Sequence, residues 1–136
     1  MTVSALPSRK ERTTALALTP NTHRGQELVS RYNWSLAPAH DGPSIKITIA
    51  LVPDRDVPVP GAVEDYLKGL NGQTWDSLEH LCATLLEDIS DTLVPLLTFV
   101  EAERPAGAGL GRQVALARKT QPAYTPTAFI ESLLRG

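Results

Sequence analysis

Ile45-Lys46-Ile47-Thr48-Ile49-Ala50-Leu51 is the stretch on which the fold reading turns. Ile45, Ile47, Ile49 and Leu51 alternate with Lys46, Thr48 and Ala50, so one face is strongly apolar and the other mixed. A period of two is the signature of a strand. Upstream, Leu28, Ser30, Tyr32, Trp34 and Leu36 share one face of residues 26–36, and Arg31, Asn33 and Ser35 take the other. The residues between, Ala37-Pro38-Ala39-His40-Asp41-Gly42-Pro43, have turn chemistry. The two strands therefore read as an antiparallel hairpin closed by a loop. Downstream, Pro53, Pro58 and Pro60 mark a link that cannot be central sheet, because proline has no N–H for the ladder.

The period then changes. Val63, Tyr66, Leu67 and Leu70 follow the i, i+3, i+4, i+7 rule of a short amphipathic helix, ended by Asn71-Gly72. A second helix is written more plainly. Leu78, Leu81, Cys82, Leu85, Leu86, Ile89 and Leu93 form one stripe, with Glu87, Asp88, Ser90 and Asp91 outside it. Asp76 and Glu79 have capping-box spacing at its start, with aspartate as the cap, and Pro95 bounds its end. Residues 96–103 return to period two: Leu97 and Phe99 lie on one side, Thr98, Val100 and Ala102 on the other. After the glycine-rich residues 105–111, residues 113–119 read as the last strand. The glycines lack a Walker lysine and a following helix, so they read as a hairpin loop.

The order is strand, strand, helix, helix, strand, strand: an α+β layer with both helices on one face of a four-stranded antiparallel sheet. Residues 13–19 can add an edge strand. Residues 1–12 read as a mobile polar tail, 13–120 as the domain, and 121–136 as a Pro-rich link with a short helix over 128–134 capped by Thr127. The chain has 136 residues, enough for one domain. Lys+Arg 13 against Asp+Glu 15 gives a net charge of -2, which argues against a general nucleic-acid binder. The single cysteine, Cys82, forbids an intrachain disulfide and an all-cysteine metal cluster. No apolar run approaches the roughly 18–20 residues of a membrane span, and the N-terminus lacks a signal-peptide core. The expected compartment is the cytoplasm.

Several local segments resemble the 7-cyano-7-deazaguanine (preQ0) reductases of the tunnelling-fold superfamily. Ser35-Leu36-Ala37-Pro38, a loop, then the strand ending in Val52-Pro53-Asp54 resembles that family's S-L-C-P, loop, strand, I-P-D segment. Tyr66-Leu67, Ser77-Leu78-Glu79, Leu86-Glu87-Asp88-Ile89 and Val94-Pro95 resemble further short motifs of the family. The resemblance implies subunits that pair sheet edges into a homo-oligomeric ring, single or as two stacked rings, with sites at subunit interfaces. It implies a purine-, deazapurine- or pterin-like ligand held by Glu79, whose carboxylate suits an N–H/NH₂ edge.

The departures are specific. The family's nucleophilic cysteine corresponds to Ala37, so no covalent thioimide can form. Its histidine corresponds to Leu78, and its NADPH-associated stretch to Val59-Pro60-Gly61-Ala62-Val63-Glu64. NADPH-dependent nitrile reduction is therefore not expected, and the sequence leaves the cofactor unknown. Other members hold zinc with cysteine and histidine. Ala37 and the scattered His23, His40 and His80 make a metal site unexpected.

Each candidate keeps its plainer reading. Glu79 is a ligand anchor or a capping-box glutamate. Trp75 and Ser77 join it as ligand-binding candidates, Trp75 otherwise being core. His40, Asp41 and Lys46 are the candidates for another catalytic step, and His40-Asp41 is otherwise a polar loop tip. Arg104 can at most hold an anion, since it does not deprotonate. The function expected is heterocycle binding without the parental chemistry. The alternative is a non-catalytic oligomeric scaffold whose terminal segments carry partner contacts.

Overall fold

The computed structural model describes residues 6–39, 42–105 and 111–135. In chain order the elements are α1 (Arg9–Thr13), β1 (Leu18–Pro20), β2 (Ser30–Leu36), β3 (Ile45–Val52) and β4 (Asp56–Pro58). Then come α2 (Ala62–Lys68), α3 (Leu78–Leu93), β5 (Leu97–Pro105), β6 (Arg112–Thr120) and α4 (Ala128–Leu134). The main sheet has the order β2-β3-β5-β6, antiparallel throughout. The fold is α+β, as the alternating periods imply. The edge strand expected over residues 13–19 is the shorter β1, which pairs with β4 in a separate two-stranded sheet. Pro20 and Pro58 sit there at strand ends, where a missing N–H costs little.

Register sorts the side chains onto two faces. Trp34 lies opposite Ile47, Ile49 opposite Val100, and Val100 opposite Ala117. This face receives both α2 and α3. Leu78, Leu81, Cys82, Leu85, Ile89 and Leu93 of α3 are buried in one core with Val63, Tyr66 and Leu67 of α2. The small Ala115 and Ala117 of β6 join that core beneath α3.

The second face is not left to solvent. Ala50, Val52 and Leu97 form a smaller core with Ile130 and Leu134 of α4. Thr127 caps α4, its hydroxyl accepting from the Ile130 N–H at 3.2 Å. Arg31 of β2 donates to the Leu133 and Leu134 carbonyls and so fastens the other end of the helix. The sheet is thus sandwiched at one end and bare at the other.

The start of α3 departs from the capping-box expectation. Ser77, not Asp76, is the N-cap: its hydroxyl accepts from the His80 N–H at 3.0 Å. The residue three positions after the cap is then His80, which has no carboxylate to reach back. At the other end Val94 holds the left-handed conformation (φ 46°), and Pro95 follows. Proline disfavours helical backbone in the residue before it, which explains why the helix stops there despite a cost of about 1–2 kcal/mol for a left-handed residue.

The segment read as the end of a polar tail is helical and docked. Asp88, at the edge of the apolar stripe of α3, is 0% exposed because α1 and α2 cover it. Arg12 grips it bidentately, Nε to Oδ2 at 2.8 Å and Nη2 to Oδ1 at 2.9 Å. The Tyr66 hydroxyl donates to Oδ2 at 2.7 Å. Arg9 adds a surface pair with Asp91 at 2.7 Å. One carboxylate thereby joins three helices.

Removing the charge strands its partners. Asp88→Asn is expected to destabilise the fold by on the order of 3 kcal/mol, read as a lower urea midpoint, because the guanidinium loses its counter-charge in a dry setting. Alkaline behaviour follows from Tyr66. Burial pushes its hydroxyl pKa well up, and the adjacent Asp88 charge pushes further. A pKa raised on folding gives stability that is intact below the unfolded value of about 10 and is lost as pH rises above it. Urea midpoints are expected to fall above pH ~10, and Tyr66→Phe to flatten that fall by up to ~1.4 kcal/mol per pH unit. An equally steep fall in the variant would assign it to Tyr32, Tyr124 and Cys82.

Candidate functional site

Glu79 stands in the first turn of α3, exposed, at the margin of the sheet. Since Ser77 makes the cap, the Glu79 carboxylate is not spent on it. Instead its Oε1 accepts from Gln113 Nε2 of β6 at 3.2 Å. Gln113 Oε1 in turn accepts from Arg104 Nε of β5 at 3.3 Å. Arg104 and Gln113 are cross-strand partners, so register puts both on the face that carries α3. The relay fixes one carboxylate oxygen. Oε2 has no partner among the described residues and can accept from a ligand.

The surroundings are set by the turn that leads into α3. Gly72 takes φ 79°, a left-handed conformation that glycine accepts without strain. The Ala37 N–H donates to Asn71 Oδ1 at 3.0 Å, and the Gly72 N–H to the Ala37 carbonyl at 3.0 Å. Ala37 is therefore tied to the link that precedes α3. It holds a methyl group.

Trp75 is half-buried against the main core, its ring edge-on to His80 with centroids 5.5 Å apart. Its Nε1 is buried without a partner among the described residues, a cost of about 1–3 kcal/mol. Ser77 keeps only its hydroxyl proton free, the oxygen being engaged by the cap. Trp75, Ser77 and Glu79 thus cluster around one helix start.

Lys46 does not join them. It pairs in register with Glu103 and Ser35 on the opposite face of the sheet, exposed. The alternation that buries Ile45 and Ile47 against the helices forces Lys46 the other way. His40 and Asp41 lie outside the described residues. Gln113 was missing from the sequence reading, because its proximity to Glu79 depends on the β5–β6 register. Arg104, read as a strand-end anion holder, is the residue that orients Gln113.

Cys82 offers no substitute nucleophile. Its sulfur is buried 3.5 Å from the Val100 carbonyl and 3.7 Å from that of Ala115. Burial pushes the thiol up to about 11, with Glu79 and then Glu101 adding to the rise. At neutral pH it is a protonated core residue.

Among the described residues no three His, Cys, Asp or Glu side chains gather as a metal site. No described helix is long and apolar enough to cross a membrane. No family model and no curated protein matches the sequence.

Proposed function

We propose that this chain is a subunit of a tunnelling-fold type of oligomer that binds a purine-, deazapurine- or pterin-like ring through Glu79. The observation that carries the reading is the state of that carboxylate. It is exposed, relieved of capping by Ser77, and held through one oxygen by Gln113 on an edge strand. A carboxylate so oriented accepts a paired N–H/NH₂ edge. Trp75, two residues before the cap, supplies an aromatic surface beside it.

The architecture supports the same reading. Two strand pairs flank two helices that share one face, and the sheet order follows the chain order. Both edge strands, β2 and β6, are unpaired on their outer sides among the described residues. Edge pairing between subunits satisfies those groups, and it brings a neighbour's β2 edge toward the β6 margin where Gln113 and Glu79 stand. Described parts of the segments to which a scaffold reading assigns partner contacts are docked on their own chain. Arg9 and Arg12 bind α3, and Ile130 and Leu134 pack on the sheet. The heterocycle reading is favoured for that reason. The chemistry is recognition without nitrile reduction, because Ala37 has no nucleophile.

Ligand binding is tested by thermal shift with guanine, pterin and 7-deazaguanine compounds. At least one is expected to raise the melting temperature of the wild-type chain. Glu79→Gln is expected to weaken it about tenfold or more, since a charge-assisted pair is lost. If none of the three shifts the melting temperature, the reading is wrong. Assembly is tested separately by sedimentation velocity. A species larger than a dimer is expected, and a monomer at micromolar concentration overturns the ring.

A further inference from the structure

Helix α4 covers only half of the sheet face that α2 and α3 leave free. Between it and the uncovered half lies a cleft of about 470 Å³. That falls within the ~300–1,000 Å³ of small-molecule sites. Its floor is built on a row of side chains running straight across the sheet, of which Thr48, Glu101 and Leu116 line the cleft. Register sets Asn33, Thr48, Glu101 and Leu116 side by side. The Thr48 hydroxyl donates to Asn33 Oδ1 at 3.0 Å, which orients both groups and leaves the hydroxyl oxygen free to accept.

Glu101 is the unusual member. It is half-buried on an inner strand, and it makes neither an ion pair nor a hydrogen bond among the described residues. A carboxylate partly withdrawn from water calls for a donor. Glu103, two residues on, already has one: it pairs with Arg112 at 2.8 Å.

The other end of the cleft is positive. Arg118 is paired with Glu131. Arg31 donates to the Leu133 and Leu134 carbonyls, and Arg135 to the Glu131 carbonyl. Carbonyls orient a guanidinium without neutralising it, so Arg31 and Arg135 keep charge that no carboxylate offsets among the described residues. Arg31 stands one pleat repeat along the sheet from the Glu101 row, roughly 7 Å. Phe99 and Leu116 supply an apolar surface within the cleft.

We propose that this cleft binds a small amphoteric molecule. An ammonium or N–H donor edge meets Glu101, an apolar or aromatic middle lies on Phe99 and Leu116, and a carboxylate or phosphate meets Arg31 and Arg135. Paired oxygens of a carboxylate or a phosphate match the guanidinium fork. The site is on the opposite face from Glu79 and is independent of the reading built on that residue.

Isothermal titration calorimetry on the full chain tests it. The two-ended probes are para-aminomethylbenzoate, with a carboxylate, and cytidine monophosphate, with a phosphate. The preferred one identifies the anionic end. Benzylamine and benzoate each lack one end. At least one two-ended probe is expected to bind about tenfold or more tightly than either control. Glu101→Gln and Arg135→Gln are each expected to weaken it by a similar factor. Arg135 is exposed, so its variant carries the test if Glu101→Gln lowers the melting temperature. Equal binding of one- and two-ended probes, or no binding of any, overturns the proposal. So does an affinity unchanged in both variants, as a probe held at Glu79 would show.

Discussion

A slip of one residue between β3 and β5 would turn this molecule inside out. In the observed register Ile49 meets Val100 on the helix side and Ala50 meets Phe99 on the other. Antiparallel sheets commonly leave one face to water. β3 does so only in its first half, where Lys46 is exposed. In its second half Ile49 and Leu51 are sealed by the α2/α3 core, and Ala50 and Val52 by α4. Burial on both faces is what fixes the register, because no shifted pairing satisfies both cores. Everything functional in the chain inherits its side of the sheet from that choice. Gln113 is delivered to Glu79, while Thr48 and Glu101 are delivered to the far cleft.

The helix layer depends on a second, local interaction. Asp88 lies beside the apolar stripe of α3, where a carboxylate would ordinarily be solvated. Arg12 from α1 and the Tyr66 hydroxyl from α2 enclose it instead. A buried pair of this kind contributes little net stability, but it punishes any arrangement in which one partner is missing. It therefore acts mainly on specificity. It fastens α1 and α2 to one point on α3.

Legibility in the sequence followed the range of the interactions. The period-two alternation of residues 45–51 and the stripe from Leu78 to Leu93 are local patterns, and both elements lie where those patterns put them. Helix α4 and its Thr127 cap were legible for the same reason, although the face it covers was not. What depended on distant partners was hidden. Asp88 looked like a surface residue because its partner lies 76 positions away in a segment with tail-like composition. The cap was assigned one residue early because Asp76 and Ser77 are both good caps, and only the extended backbone at Ser77 decides between them. Glu79 was legible as a carboxylate at a helix start. The Arg104–Gln113 relay that orients it was not.

The sulfur of Cys82 ties the two faces together. It lies against the sheet backbone, with Glu79 on its own helix and Glu101 on the far face of β5, and both carboxylates raise its pKa after burial has done so. A negative charge on either side opposes a thiolate between them, and the interior screens that opposition weakly. Ala37, where the resemblance leads one to expect a nucleophile, holds a methyl group, and the one cysteine in the sequence is kept protonated. Thiol chemistry is closed at both places by different physics, one by composition and one by field. Among the described residues, the groups left with unused bonding capacity include two carboxylates, one per face. Each is held by the sheet, and each is better suited to gripping a donor than to attacking a bond.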